Sequence, residues 1–253
     1  MDLEPHHADP SLKGKLRRRL VRLQHRKAAG PRLGPPLISF SFDDAPVSAF
    51  TTGARVLERY GARGTYFVCA GTAGQTGYIG QMGDRADMLH AQAAGHEVAC
   101  HTYSHLDCGL ADAATTAGDV DRNTRTLENW GLMRPETFAY PYGDVGPRAK
   151  RVLAERFSLA RAIHHGVIEA GADLAQAPSI GVEGEDGEAT ALHWMDQAVR
   201  RKAWLILYTH GVADGFTPYG CTTAVFERLV GAAVARDFEI VTVAEGARRM
   251  RPS

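Results

Sequence analysis

From Leu37 onward, short apolar runs alternate with longer amphipathic stretches. The runs Leu37–Phe42, Thr65–Cys69, Glu97–Cys100, Thr137–Tyr140, Leu159–Ile163, Ser179–Val182, Leu205–Tyr208 and Phe238–Val243 predict strands. Between them, segments around 48–60, 85–94, 111–130, 146–156, 188–202 and 222–236 have the length and periodicity of crossover helices. Several runs are apolar at nearly every position, as in Trp204-Leu205-Ile206-Leu207-Tyr208, which suits a parallel sheet covered on both faces. This repetition predicts an α/β protein, a distorted (β/α) barrel of about seven parallel strands, with a doubly wound open sheet as the competing architecture. Ala170–Gly187, rich in Gly, Ala and acidic residues, reads as loop around one short strand, and no domain boundary is expected after residue 37.

The first 36 residues follow a different pattern. Leu12, Leu16, Leu20 and Leu23 fall on one narrow helical stripe, Lys and Arg fill most other positions up to Lys27, and Pro31, Pro35 and Pro36 then break the helix. Residues 1–36 therefore read as a basic arm and 37–253 as a single body. The arm is expected to dock its leucines on the acidic body or to be a frayed tail; the sharper alternative is a basic amphipathic helix lying on an anionic membrane surface.

Composition narrows the function. The 253 residues hold 29 Lys+Arg and 29 Asp+Glu, so the formal charge is zero and the global basic excess of a nucleic-acid binder is missing. That balance conceals an asymmetry: the arm has nine basic and three acidic residues, a net +6, which leaves the body at −6. The chain shows neither a long apolar span nor the apolar core of a secretory signal, so a cytoplasmic protein is expected, at most peripheral to a membrane. Four cysteines (Cys69, Cys100, Cys108, Cys221) without C-x-x-C spacing suggest neither a disulfide scaffold nor a zinc ribbon, although pairing among the first three stays open. Glycines at 71, 74, 77, 80 and 83 match no phosphate-binding spacing and read as a loop, with a lid as the sharper possibility.

Three clusters of chemistry sit just past predicted strands, where barrel enzymes assemble their sites. Asp43-Asp44 follows the first strand; one carboxylate can bind a cation while the other moves protons, or either can merely cap the next helix. His101 and His105, four apart after Glu97–Cys100, can present two imidazoles to one metal from a helical turn. With the Asp pair they supply a three-ligand set that leaves positions for water and substrate. His210, after Leu205–Tyr208, is a candidate general acid or an ordinary structural histidine.

These residues carry a resemblance. Ser41-Phe-Asp-Asp-Ala-Pro46 resembles the T-F-D-D-G-P motif, His101-Thr-Tyr-Ser-His105 the H-[ST]-x-x-H motif, and Gly95-His-Glu97 its usual lead-in. Gly61-Ala-Arg-Gly-Thr-Tyr-Phe67 is similar to the second strand of the same group, the polysaccharide deacetylases, or NodB-homology proteins of carbohydrate esterase family 4. The resemblance runs in order from about Leu37 to Gly246. It implies a metal triad of Asp44, His101 and His105, a water-activating base at Asp43 and a general acid at His210. It also implies an oxyanion contact from the Pro141-Tyr142 pair through the backbone N–H of Tyr142. The implied cofactor is one divalent ion, Zn first and Co, Mn, Ni or Fe as alternatives. The implied activity is removal of N-acetyl groups from an amino-sugar glycan or its precursor.

The sequence departs from that family at three places. Ala139 stands where an Arg commonly precedes the Pro-Tyr pair and orients the base, the D-x-x-D-W segment is not recognisable within Leu159–Gly187, and Tyr208 replaces a leucine of the acetate pocket. Two alternatives follow: hydrolysis of a non-sugar C–N bond by the same centre, and a non-catalytic glycan-binding barrel tethered by the arm.

Overall fold

The computed structural model describes residues 11–31, 34–215 and 219–251, so the first ten residues of the arm and Arg32–Leu33 lie outside the described residues. Helix α1 (Leu12–Val21) precedes the body, which begins with β1 (Leu37–Asp43), a π-type turn at Ala49–Gly53, α2 (Ala54–Arg59) and β2 (Thr65–Val68). A small hairpin, β3 (Thr76–Gly77) and β4 (Gly80–Gln81), leads to α3 (Arg85–Ala93), β5 (Glu97–Cys100), α4 (Ala113–Asn129), β6 (Thr137–Ala139) and α5 (Pro147–Arg156). The second half runs β7 (Leu159–Arg161), β8 (Ile180–Gly181), α6 (Gly187–Arg201), β9 (Trp204–Thr209), the short pair β10 (Gly211–Val212) and β11 (Gly220–Cys221), α7 (Thr223–Ala235), β12 (Glu239–Ile240) and α8 (Val243–Arg249).

The main sheet has the order β7-β6-β5-β2-β1-β9-β8, with β12 also on β1, and its ladders are parallel. It curls far enough for Arg161 on β7 to bridge Ala177, just before β8, with Ala162 N–H donating to the Ala177 carbonyl at 2.8 Å. The architecture is the expected distorted (β/α) barrel.

Side-chain alternation explains where chemistry ends up. Ile38, Phe40, Phe42, Leu205 and Leu207 belong to the core beneath the outer helices. Leu37, Phe67, Ala99, Ala139, Leu159, Trp204 and Ile206 form a second cluster, the barrel interior. With a period of two along each strand, the interior set continues to Asp43, His101, Arg161 and Tyr208 at the C-terminal ends. At the other end the interior is closed by a polar knot. The half-buried carboxylate of Glu97 accepts from Thr65 Oγ1 at 2.8 Å, from Thr137 Oγ1 and from the Ala244 N–H at 2.8 Å.

Three expectations are corrected. The glycine-rich loop carries the β3–β4 hairpin, and its Tyr78 ring packs 5.1 Å from Tyr219. The histidine pair does not lie on a helical turn: residues 101–107 form an irregular loop with left-handed Thr102 (φ 66°) and His105 (φ 55°). The leucines of the arm are not docked. Leu12, Leu16, Leu20 and Leu23 are 85%, 58%, 50% and 75% exposed, and α1 meets the body through its opposite face. The four cysteines are free. No helix among the described residues is long and apolar enough to cross a membrane.

Candidate active site

β1 ends in two consecutive left-handed residues, Asp44 (φ 54°) and Ala45 (φ 46°). Such backbone is costly for residues with a Cβ and tends to persist where the surroundings impose it. It turns the chain so that Asp43 stays inside the barrel and Asp44 leaves sideways toward the next strands. Neither carboxylate caps a helix, because the following turn starts at Ser48 without a side-chain cap. Ala45 occupies a position the resemblance reads as glycine, and its left-handed φ gives the physical reason for that preference.

Across the barrel mouth, β5 delivers His101 and the loop beyond it His105. Asp119 from α4 fixes that loop by accepting from the Tyr103 and Ser104 N–H groups at 2.6 and 3.2 Å and from Ser104 Oγ at 2.7 Å. His105 Nε2 lies 3.5 Å and His101 Nε2 3.8 Å from the same Asp44 oxygen. Among the described residues, Asp44, His101 and His105 are the group of such side chains close enough to share an ion, with ligand atoms within 4.8 Å of one another. The donor set suits a first-row divalent cation, since two ligands each about 2.1 Å from such an ion stand roughly 3.4 Å apart in tetrahedral geometry. The support around His101 fits as well. Its Nδ1 lies 2.9 Å from the Ala139 carbonyl, which fixes the proton there and leaves the Nε2 lone pair facing Asp44.

Electrostatics keep the ligands in binding-ready forms. Burial holds His101 down to about 4, so its imidazole is neutral. Burial pushes the Asp44 carboxyl up, but the surrounding positive charge, His105 and His210 included, more than reverses this, and it sits below the ordinary carboxylate range.

His210 stands at the end of β9 with Nε2 3.9 Å from the second Asp44 oxygen. Its Nδ1 is 2.6 Å from Glu183 Oε1 and 3.0 Å from the Tyr219 carbonyl. Burial would lower its pKa; the hydrogen bond and charge of Glu183 outweigh that and raise it to about 9. Tyr142, in the Pro141–Gly143 turn, is left-handed (φ 58°) and places its ring 4.4 Å from His105, while Pro141 is buried. A cavity of about 150 Å³ joins Asp43, His101, His105, Tyr142, Tyr208 and His210. All seven residues read from the sequence thus gather at one end of the barrel.

Two residues of this site were not read from the sequence. Arg161 on β7 is fully buried and ion-pairs with Asp43, its guanidinium 4.8 Å from the Tyr208 ring and 5.2 Å from Phe67. It pairs directly with Ala139 in the β6–β7 register, so an arginine stands one strand away from the position where the family pattern has one. The signal was available: a single arginine inside the otherwise apolar Leu159–Ile163 has no reason to be in a barrel interior except a carboxylate to meet. Glu183, just past β8 in an acidic loop, had no comparable signal. Tyr208, where an acetate-pocket leucine was expected, lines the cavity; a Cβ on Gly181 would stand 3.0 Å from its hydroxyl, so glycine makes its room.

A curled parallel barrel with an Asp-His-His group at its C-terminal mouth defines a class of hydrolase-like sites, and comparison places the chain within one family. Residues 31–156 match the family model of polysaccharide deacetylases, and the chain belongs to that family. A bifunctional xylanase/deacetylase of Pseudobutyrivibrio xylanivorans is 28% identical over 109 residues; the match covers 42% of this chain and 16% of that protein, so the chain spans a small part of the curated relative. Two crystal structures show the same fold. The Xyl-CE4 domain of a multidomain xylanase from the hindgut metagenome of Trinervitermes trinervoides is 18% identical at a TM-score of 0.60, covering 84% of this chain and 89% of that one. A family 4 acetyl xylan esterase from Clostridium thermocellum, in complex with cobalt, is 17% identical at 0.57, covering 83% and 89%.

Proposed function

We propose that the protein is a metal-dependent deacetylase that removes N-acetyl groups from an amino-sugar-containing glycan or glycan precursor. The observation that carries this reading is the convergence of Asp44, His101 and His105 beside a second carboxylate, Asp43, and a protonated imidazole, His210. Asp44 and the two histidines would hold one divalent ion, Zn first among Co, Mn, Ni and Fe. Such an ion supplies Lewis acidity toward an amide carbonyl and toward water.

The residues of the chain divide the remaining work. Asp43 accepts a proton from the attacking water, and the ion pair with Arg161 fixes its carboxylate in direction. An amine leaves poorly unless protonated; His210, kept as imidazolium by Glu183, delivers that proton. The Tyr142 backbone N–H supports the oxyanion that develops on the former carbonyl. The cavity is small, in keeping with an acyl group rather than a whole sugar entering it, so the sugar rests at the rim beside Tyr78 and Tyr219.

The reading is tested by following acetate release from N-acetylglucosamine oligomers, lipid-linked and nucleotide-linked amino sugars, and small linear and cyclic amides, with and without chelator. Chelator-sensitive release from a sugar amide supports it; turnover of the small amides alone, or of none, contradicts it. The non-sugar alternative rests on the arginine missing at Ala139 and on the unrecognised D-x-x-D-W segment; Arg161 on β7 answers the first of these. A purely glycan-binding barrel has no use for the paired Asp43 and Arg161.

A further inference from the structure

Among the described side chains, those that fasten helix α1 to the body lie on one face. Gly14 and Val21 are buried, Arg17 donates to the Gly109 carbonyl at 2.7 Å and pairs with the fully buried Asp144, and Arg18 lies 4.0 Å from the other Asp144 oxygen. Lys150 Nζ clamps the end by donating to the Val21 carbonyl at 2.9 Å. At 100° per residue these anchors span an arc of roughly 100°, and the leucine positions 12, 16, 20 and 23 span an arc of roughly 80° on the opposite side. Fixation by arginines and a glycine, with every leucine left in water, inverts the usual arrangement of a surface helix. The exposed cations Lys15, Arg19 and Arg22 flank the leucines, and no acidic residue occurs between positions 10 and 42.

The anchoring points give the helix its place relative to the site. Gly109 lies on the loop that follows His105, and Asp144 directly follows the turn that carries Tyr142. Leu110, next to the Arg17 anchor, is itself 67% exposed. The anchors thus sit on the segments that carry His105 and Tyr142, and the apolar and cationic face is turned away from them.

We propose that α1 docks the protein on an anionic lipid bilayer, with Leu12, Leu16, Leu20 and Leu23 entering the interface and Lys15, Arg19 and Arg22 meeting headgroup phosphates. Charge complementarity selects this partner. The face carries only positive charge, whereas the body, at −6, is repelled by an anionic surface and so is held away from it. A second copy is disfavoured, because two-fold pairing through this face would bring its cations against each other. The inference goes beyond the proposed reaction and does not depend on it, since vesicle binding is measured without turnover.

The test is co-sedimentation of the full chain with vesicles of phosphatidylcholine alone and of phosphatidylcholine with phosphatidylglycerol, at about 0.1 M salt, where the screening length is about 10 Å. Binding is expected for the anionic vesicles, weakening as salt rises. Leu16→Glu with Leu20→Glu is expected to lower the partition coefficient at least tenfold with an unchanged circular dichroism melt, because both side chains stand in water. Lys15→Glu with Arg19→Glu provides an independent variant and should abolish the preference for anionic lipid. No binding of the parent protein to anionic vesicles, or undiminished binding by both double variants, would overturn the proposal. So would a self-associated parent protein that fails to bind vesicles and becomes monomeric in the leucine variant, which would mark the face as a contact between copies.

Discussion

Replacing Glu183 with Gln isolates one charge in the site. The amide keeps a polar group beside His210 Nδ1 and removes the negative charge that, against burial, raises the imidazole to about 9. Without that charge, burial is opposed only by the smaller contributions of Asp44 and Asp43, and the pKa falls toward the ordinary histidine value near 6.5. The difference corresponds to roughly 3 kcal/mol at 1.36 kcal/mol per pH unit. The sign is fixed by the role: a general acid works while protonated, so a raised pKa extends activity upward in pH, and the advantage disappears as pH rises through about 9. In the variant the alkaline limb moves down by two units or more. At pH 8 an imidazole with a pKa near 6.5 is only about 3% protonated, so kcat/KM there falls roughly 30-fold, with far less loss near pH 6. The assay is the pH–rate profile of acetate release by both proteins, with metal content measured alongside because Glu183 is not in the ligand set. An alkaline limb that stays in place, or an equal loss at every pH, would refute the assignment of His210 as acid and Glu183 as the group that charges it.

Arg161→Met keeps the volume between Phe67 and Tyr208 but leaves the buried Asp43 without its partner. Thermal unfolding should report a loss of about 3–5 kcal/mol and kcat should fall at least tenfold at unchanged metal content, with Arg161→Lys recovering part; full activity would disprove the positioning role. Lys150 is fully buried, with Nζ donating to Asp173 Oδ2 at 2.6 Å, the Val21 carbonyl at 2.9 Å and Gln176 Oε1 at 3.2 Å. Lys150→Met strands those acceptors and should cost about 3 kcal/mol while making the arm the first site of tryptic cleavage; an unchanged melt and digest would show that the arm is not held there.

Much of this architecture was legible because a parallel barrel repeats one strong signal. Each of the eight predicted strands contains an observed strand, or lies within one, with ends displaced by up to three residues, as hydrogen-bond ladders stop short of the apolar runs. The misses are short or cooperative. The two-residue strands β3 and β4 fall below any periodic signal, and α8 was missed because Val243 was read as the end of a strand. In the site, residues within contiguous motifs could be read directly. Arg161 and Glu183 act across strands: the lone arginine in an apolar run signals a buried carboxylate partner, but which carboxylate it meets, and any role for Glu183, appears only when the β6–β7 register and the barrel closure are known. The arm shows a different limit. The leucine spacing establishes which face of α1 is apolar; whether that face is covered is decided by the body, where Asp144 and the Gly109 carbonyl capture arginines instead.

The central claim is that Asp44, His101 and His105 hold one cation on which activity depends. Elemental analysis of tag-free protein, read beside acetate release, tests it most directly. The account predicts one equivalent of a first-row divalent metal in the parent protein, far less in His101→Ala and Asp44→Ala, and loss of activity on chelation that returns with added metal. Metal-free parent protein that still releases acetate, or a His101→Ala variant that retains both its metal and its rate, would contradict it.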